Sequence, residues 1–321
     1  MTITTAEHER STSAGQITAI DTRNVAVMKE LGYLGKVPAL SLLADPRFSY
    51  YLYVPKRYAE FTSCPLIVLV HGSGRNAYEL RDWYRDFAEE HGVFLLCPLF
   101  PIGFLDADDA DNYKNIAYRG IRYDEILLQM CREVQSRYPR VDVAQFCMYA
   151  FSGGAQFAHR FAYLHPKRLS TLLCGAPGTQ TMWDESQAYP QGTHDLVTVF
   201  GRSEIDWDAL RRVPTVFLCG SEDIDDSWCK LRGRPPLGPN GRLGACKRLA
   251  RSWELHGAKT EFIAIPGAKH EEHKLIPTVT TLFQRWRRSL ETQGPHEAQP
   301  GEAMPHSAIY TIPSLPQEPR L

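Results

Sequence analysis

The 321-residue sequence predicts an α/β protein with a mostly parallel central sheet, helices on both faces and a cap insertion. Two observations indicate this fold. Short, continuously apolar runs recur between about residues 48 and 290, and amphipathic segments separate them. Runs that are apolar throughout are expected of strands covered on both faces, and their alternation with helices favours parallel pairing.

The first half of this region begins with an edge strand and continues with buried ones. Residues 49–55 alternate in polarity, as a half-buried strand near a sheet edge does. The runs 65–70 and 93–100 are apolar throughout and predict fully buried strands, with an amphipathic helix at 77–90 between them. A loop at 103–116 then leads to a helix predicted over 123–138.

The second half repeats the same alternation. A buried strand is predicted at 146–149 and a helix at 155–162. The remaining strands are predicted at 169–176, 214–220 and 260–265, and the remaining helices at 242–255 and 274–289. These segments complete a sheet whose consecutive strands are joined by helices.

Three further stretches lie outside this pattern. Residues 1–47 are predicted to be an N-terminal extension to the domain at 48–290. Residues 291–321 are rich in proline, and such a tail is predicted to be disordered because it cannot build a packed core. Residues 177–213 form a long connection between two strands, and connections of that length usually serve a function. We therefore predict a cap over the sheet edge there.

Composition and charge exclude several classes of function. The formal net charge of −1 favours neither nucleic acid nor an anionic membrane as a partner. No apolar run reaches the roughly 18 residues of a membrane span, and the N-terminus does not resemble a secretory signal. These features predict a cytoplasmic protein. The final residues, Pro319-Arg320-Leu321, loosely match a peroxisomal address, which leaves the peroxisome as an alternative.

The cysteines do not indicate a metal site or a disulfide framework. Four of the eight lie in or at the ends of apolar runs, where cysteine usually acts as a small core residue: Cys97, Cys147, Cys174 and Cys219. The others lack CxxC spacing, so neither zinc nor disulfides are predicted. His270 and His273 are three residues apart, which differs from the HExxH spacing of zinc proteases.

Ser152 is the candidate nucleophile. It follows an apolar strand and precedes a helix, in the segment Ala150-Phe151-Ser152-Gly153-Gly154. A serine between small residues at a strand-to-helix turn is typical of a nucleophile elbow, where a strained turn projects the hydroxyl group out of the sheet. Ala150 stands where glycine is usual, but it is also small.

A serine hydroxyl needs a base and an acid that orients the base. His270 is the candidate base, because it lies on the loop after the last predicted strand; nearby His273 is the alternative. Asp223 is the candidate acid, just past the strand at 214–220. Asp225 and Asp226 lie on the same loop, so the sequence leaves the choice among the three aspartates open.

Backbone N–H groups are the expected oxyanion donors. One is that of Gly153, the residue after the candidate nucleophile. The other is expected from Ser73, with Gly74 as the alternative, in the loop His71-Gly72-Ser73-Gly74, which follows the buried strand ending at Val70. His71 itself is predicted to be structural, through a hydrogen bond within this loop.

The parts occur in a characteristic order along the chain: the loop 71–74, then Ser152, Asp223 and His270. This set resembles the α/β-hydrolase superfamily, in which nucleophile, acid and histidine follow in that order. Within the superfamily, the segments 65–71, 82–91 and 151–165 are most similar to polyhydroxybutyrate-depolymerase and dienelactone-hydrolase-like serine esterases. The resemblance covers roughly residues 48–290.

The resemblance and the residues together imply a serine hydrolase with a Ser-His-Asp triad. Its expected substrate is a small-molecule carboxylic ester, thioester or lactone, with no cofactor and no metal. Gly74, Tyr118 and Trp183 are predicted to contact the substrate. They lie, respectively, in the loop 71–74, in the 103–119 loop and in the predicted cap. A homodimer is expected only from the general frequency of symmetric dimers.

The sequence leaves two alternative functions open. The same groups could serve an acyltransferase or a C–C bond hydrolase that acts on a secondary metabolite. The fold could also carry a non-catalytic ligand-binding protein, because fold alone does not establish activity.

Overall fold

A single eight-stranded sheet runs through the computed structural model, which describes residues 25–292. The strands are β1 (Gly35–Ser41), β2 (Ser49–Val54), β3 (Cys64–Val70), β4 (Phe94–Leu99), β5 (Ala117–Tyr118), β6 (Ile121–Arg122), β7 (Val141–Phe151), β8 (Leu169–Gly175), β9 (Thr215–Gly220) and β10 (Thr260–Ile265). The helices are α1 (Val25–Glu30), α2 (Ala77–His91), α3 (Tyr123–Arg137), α4 (Gly153–Leu164), α5 (Leu196–Val199), α6 (Trp207–Arg212), α7 (Ser227–Leu231), α8 (Gly241–Leu255) and α9 (Ile276–Thr292).

The strand order in the main sheet is β1-β2-β4-β3-β7-β8-β9-β10, and β5 pairs separately with β6. Strands β1 and β2 run antiparallel to their neighbours, whereas the pairs from β4 through β10 are parallel. The mostly parallel sheet predicted from the sequence is therefore confirmed. Its central strands are almost entirely buried, which explains their continuous apolar runs.

Helices cover both faces of the sheet. Tyr149 of β7 packs against Tyr84 of α2 and Phe283 of α9, and it pairs in register with Leu173 of β8. The next residue of β8, Cys174, points to the opposite face, because side chains alternate along a strand. There its thiol lies 3.6 Å from the backbone oxygen of Ala155 in α4.

The sheet begins earlier than the sequence predicts. Strand β1 lies within the predicted extension 1–47, yet it pairs with β2 from Gly35 opposite Val54. The register is irregular between Val37 and Leu40, a stretch that includes Pro38. Proline has no N–H for the ladder and is confined to edge strands and bulges, which made this strand hard to recognise. Residues 1–24 and the predicted tail from residue 293 lie outside the described residues.

The predicted buried strands and long helices are confirmed, with shifts of a few residues at their ends. The largest difference is in β7, which starts at Val141 rather than at residue 146. Its first residues alternate between buried and exposed, so this part lacks the continuous apolar signal. Within residues 25–292, every helix is too short or too polar to span a membrane.

Candidate active site

Ser152 lies in the tight turn between β7 and α4. Its backbone has φ of 54° and ψ of −113°, in a region that residues other than glycine seldom adopt. Two hydrogen bonds hold the turn: the Ser152 N–H donates to the Gly175 oxygen at 2.8 Å, and the Gln156 N–H donates to the Ser152 oxygen at 3.1 Å. The conformation has the strain expected of a nucleophile elbow.

Close backbone packing explains the glycine at position 154. A Cβ atom on Gly154 would lie 2.3 Å from the Val70 oxygen and 2.6 Å from the His71 oxygen. These atoms belong to the end of β3 and its loop, so they cannot move aside as a flexible side chain could. Helix α4 thus starts in contact with the loop that follows β3. Ala150 is accommodated as a buried residue of β7.

His270 connects Ser152 to Asp223. Its Nε2 atom lies 2.9 Å from Ser152 Oγ, and its Nδ1 atom lies 2.7 Å from Asp223 Oδ2. The carboxylate can only accept, so Nδ1 carries the proton and Nε2 of the neutral ring accepts from the serine hydroxyl. The Phe151 ring stacks on the imidazole, with centroids 4.7 Å apart. This arrangement can perform general base chemistry on a serine nucleophile.

Asp223 is buried just beyond the end of β9. Its second carboxylate oxygen, Oδ1, accepts a hydrogen bond of 2.7 Å from Arg242 Nη1. Burial alone would raise the pKa of Asp223, but the His270 hydrogen bond and the Arg242 charge outweigh it, so the pKa lies below its ordinary value. The side chain therefore remains an anion that orients the imidazole.

The other acidic and basic candidates point elsewhere. Asp225 accepts hydrogen bonds from the Ser227 N–H and hydroxyl at the start of α7, and Asp226 accepts one from the Leu237 N–H. The His273 side chain is exposed beyond the loop that carries His270. Of the alternatives left open by the sequence, the structure brings only Asp223 and His270 to Ser152.

The two residues predicted to supply the oxyanion donors, Ser73 and Gly153, are neighbours in the structure. Ser73 Oγ is 2.9 Å from the position of a Cβ atom on Gly153, which places the two predicted donor residues side by side. Gly153 is also the first residue of the twelve-residue helix α4. The N-terminus of a helix presents free N–H groups and a partial positive charge, both of which favour an anion.

His71 organises the loop that carries Ser73. Its Nδ1–H donates to the Gly72 oxygen at 2.8 Å, and its Nε2 accepts from the Phe100 N–H at 3.0 Å. The ring is fully buried, and burial lowers the pKa of His71 to about 3, so it is neutral. The predicted structural role of His71 within the loop is confirmed.

A cavity of about 190 Å³ opens beside Ser152. Its lining residues are Ser73, Lys114, Ser152, Gln156, Gly178, Trp228, Arg232, Arg234 and Arg242. Sequence reasoning missed the cationic residues of this set. The sequence does contain a signal for such a cationic wall. Residues 221–240 follow β9, at the edge of the sheet that carries Ser152, and they include Lys230, Arg232 and Arg234.

The chain is similar to known proteins at the level of the fold. No protein-family model matches the sequence, and neither does any curated protein. Among solved structures, poly(aspartic acid) hydrolase-1 from Sphingomonas sp. KT-1 is 22% identical with a TM-score of 0.60, covering 73% of this chain and 92% of that one. A poly(3-hydroxybutyrate) depolymerase from Bordetella parapertussis is 20% identical with a TM-score of 0.62, covering 80% and 92%. An S-formylglutathione hydrolase from Agrobacterium tumefaciens is 15% identical with a TM-score of 0.53, covering 80% and 99%.

This chain has the α/β-hydrolase fold. The fold implied by the sequence resemblance is thereby confirmed. In this α/β-hydrolase fold, the Ser152 turn, the Asp223 loop and the His270 loop all follow the carboxyl ends of parallel strands. Open α/β sheets characteristically carry their sites at that edge.

The three predicted substrate contacts are not among the residues that line this cavity, so their contact with a substrate stays a prediction. Trp183 is buried in an aromatic cluster, where it stacks on Trp207 and His256 with centroid separations of 4.8 Å each. Tyr118 donates its hydroxyl hydrogen to Asp106 at 2.8 Å and does not line the cavity. Gly74 adjoins Ser73 but does not line the cavity either.

The segment 177–213, for which a cap is predicted, contributes little to this cavity, and a cap formed by it stays a prediction. Of residues 177–213, only Gly178 lines the cavity beside Ser152. The tryptophans of this segment instead pack against Tyr163 of α4 and Trp253 of α8, because burying large aromatic surface there is strongly favourable. Trp228, Arg232 and Arg234, in and after α7, line the cavity instead.

Proposed function

We propose that this chain is a serine hydrolase that cleaves a carboxylic ester, thioester or lactone of a small molecule through an acyl-enzyme on Ser152. The observation that carries the proposal is the position of His270. It lies within hydrogen-bond distance of both Ser152 Oγ and the buried Asp223 carboxylate. A serine polarised by an oriented imidazole is the arrangement that acyl transfer requires.

In the first half-reaction, Ser152 Oγ attacks the acyl carbon while His270 Nε2 accepts the hydroxyl proton. Asp223 stabilises the resulting imidazolium, which then protonates the leaving group as its bond to the acyl carbon breaks. In the second half-reaction, His270 takes a proton from water, and the hydroxide attacks the acyl-enzyme. Proton return to Ser152 Oγ then releases the carboxylic acid.

The negative charge that develops on the carbonyl oxygen needs donors. The N–H groups of Gly153 and Ser73 are proposed to supply them, since these residues are adjacent and Gly153 begins α4. Apart from the substrate and the attacking water, the groups in this scheme are side chains and backbone groups of the chain.

The fold comparisons are consistent with this proposal. The two solved structures with the highest TM-scores quoted above are named as hydrolases of polymers, and the third as a hydrolase of S-formylglutathione. At these identities the resemblance supports the fold, so the proposal rests on the hydrogen-bonded Ser152, His270 and Asp223.

Labelling with a fluorophosphonate probe, followed by peptide mapping, tests the proposal. We expect the wild-type protein to be labelled on Ser152 and the Ser152→Ala variant to fold normally without being labelled. The labelled enzyme should also lose hydrolysis of simple esters. A folded wild-type protein that takes up no probe and hydrolyses no ester, thioester or lactone would overturn the proposal in favour of a binding protein.

A further inference from the structure

The cavity beside Ser152 contains an excess of positive charge. Three of its lining residues, Lys114, Arg232 and Arg234, pair with a single carboxylate, that of Asp111. Lys114 Nζ lies 2.5 Å from Asp111 Oδ1, and Arg232 Nη1 lies 3.0 and 3.2 Å from the two oxygens. One negative charge thus faces three positive ones.

Arg160 adds a further cation directly behind Lys114. It is 2% exposed and donates from Nη1 to the Lys114 backbone oxygen at 2.7 Å. Its other partners are the hydroxyl groups of Thr179 and Thr181 and the backbone oxygen of Gln156. Within residues 25–292, no carboxylate pairs with this guanidinium. Buried charges are normally paired, so the imbalance raises the positive potential of the cavity.

The same cavity holds buried hydrogen-bond donors that have no acceptor. Trp228 Nε1 and Arg242 Nε are both buried without a partner. Arg242 is 5% exposed, and its guanidinium carbon lies 5.0 Å from the centre of the Trp228 ring. Unsatisfied buried donors are rare, and here they occur in residues that line a cavity already rich in cations.

We propose that this cavity binds a carboxylate group of the substrate, so that the preferred substrate is an ester bearing a carboxylate on its acyl or alcohol part. This inference rests on the proposed serine hydrolase function. The cavity lies directly beside Ser152. A single small molecule can therefore place its carboxylate in the cavity and its scissile carbonyl at Ser152. A volume of about 190 Å³ suits a short acid rather than a long chain.

A carboxylate is favoured because the cluster already binds one. Asp111 is held by two arginines and a lysine, and guanidinium groups match carboxylates through paired N–H donors. Arg232 contacts Asp111 through Nη1 and Arg234 through Nη2, so each retains further N–H groups for a second anion. A substrate carboxylate would therefore share these cations with Asp111.

Matched ester pairs test the inference on the full chain. Ethyl hexanoate is the neutral reference, and monoethyl adipate carries a carboxylate on the acyl part. For the alcohol part, 4-acetoxybenzoate is compared with 4-methylphenyl acetate. We expect kcat/KM for at least one anionic ester to exceed that of its neutral partner by about tenfold or more. A hydrogen bond to a charged group typically contributes an effect of this size.

Variants assign the preference to the cavity. Arg232→Gln combined with Arg234→Gln should bring the ratio of anionic to neutral kcat/KM close to one, mainly through KM. Asp111→Asn should raise the ratio, because it removes the competing carboxylate. Arg251→Gln is the matched control, since Arg251 lies on α8 and pairs with exposed Glu254. It should leave the ratio unchanged.

The outcomes separate this inference from the proposed function. Equal turnover of the anionic and neutral esters, with Ser152 still labelled by fluorophosphonate, would overturn the carboxylate site alone. A preference that survives the double arginine variant would do the same. Failure of every ester together with an unlabelled Ser152 would instead overturn the hydrolase proposal. A tenfold preference for a phosphate-bearing ester over the carboxylate ester would contradict the choice of a carboxylate.

Discussion

Arg242 and Asp223 form a buried ion pair immediately behind the contact between Asp223 and His270. Arg242 Nη1 lies 2.7 Å from Asp223 Oδ1, and the two side chains are 7% and 2% exposed. The pair links the start of α8 to the loop after β9. Removing one member of such a pair leaves an uncompensated buried charge, which is more costly than the pair itself is stabilising.

Arg242→Met should therefore lower the free energy of unfolding by about 3–5 kcal/mol. The measurement is urea denaturation at neutral pH. Arg251→Met, which breaks the exposed pair with Glu254, is the control and should cost only about 0–1 kcal/mol. If the two substitutions lowered the free energy of unfolding equally, the Asp223 carboxylate would not depend on Arg242 to compensate its buried charge.

Asp223→Asn should reduce kcat for ester hydrolysis by about 10⁴-fold, because an amide no longer holds the proton on His270 Nδ1. His270→Ala should reduce it further, since it removes the proposed base itself. Asp225→Asn is the matched control, because Asp225 bonds Ser227 and lies away from His270. Steady-state kinetics on one ester compare all three variants. An unchanged rate for Asp223→Asn would move the acid role to another residue.

Gly154→Ala should destabilise the protein by about 1–3 kcal/mol or more and disturb the Ser152 turn. The added Cβ would lie 2.3 Å from the Val70 backbone oxygen, which cannot rotate away. Gly74→Ala is the control, because nothing lies within 4 Å of its added Cβ and its φ is not positive. Thermal melts of both variants, with fluorophosphonate labelling of Ser152, make the comparison. A Gly154→Ala protein as stable and as reactive as wild type would contradict the packing seen at the turn.

Glu272→Gln should make stability less dependent on pH. Burial raises the pKa of Glu272 from 4.5 to about 7, and its Oε1 atom has no hydrogen-bond partner. The folded state therefore favours the protonated carboxyl. Its contribution is fully present below about pH 4.5 and is lost as the pH rises through about 7.

At pH 8 the Glu272→Gln variant should thus be more stable than wild type by up to about 3 kcal/mol, and the difference should vanish near pH 4. Denaturation at a series of pH values measures it. The neighbouring Glu271, which pairs with Lys274, is the control, and Glu271→Gln should not reproduce the gain at high pH. A constant difference between Glu272→Gln and wild type across the series would contradict a titrating buried carboxyl.

The sequence predicted the buried strands well because a strand covered on both faces must be apolar throughout. Strand β1 and the first residues of β7 were missed because one contains proline and the other is only half buried. Ser152 and His270 could be singled out because each follows a strand end in an appropriate local pattern. The role of Trp183 could not be predicted, because an aromatic residue in a long connection can pack on the core as readily as on a ligand.

The sequence by itself determined the α/β architecture, the turn at Ser152 and the shortlist of acids and bases, since periodicity and strand-end position are local properties. Only the tertiary structure decided which aspartate meets His270, because Asp223, Asp225 and Asp226 share one loop and differ in side-chain direction. It also decided that Trp228, Arg232 and Arg234 line the cavity beside Ser152, to which the segment 177–213 contributes only Gly178. That choice depends on packing between segments distant in sequence, which no local pattern encodes.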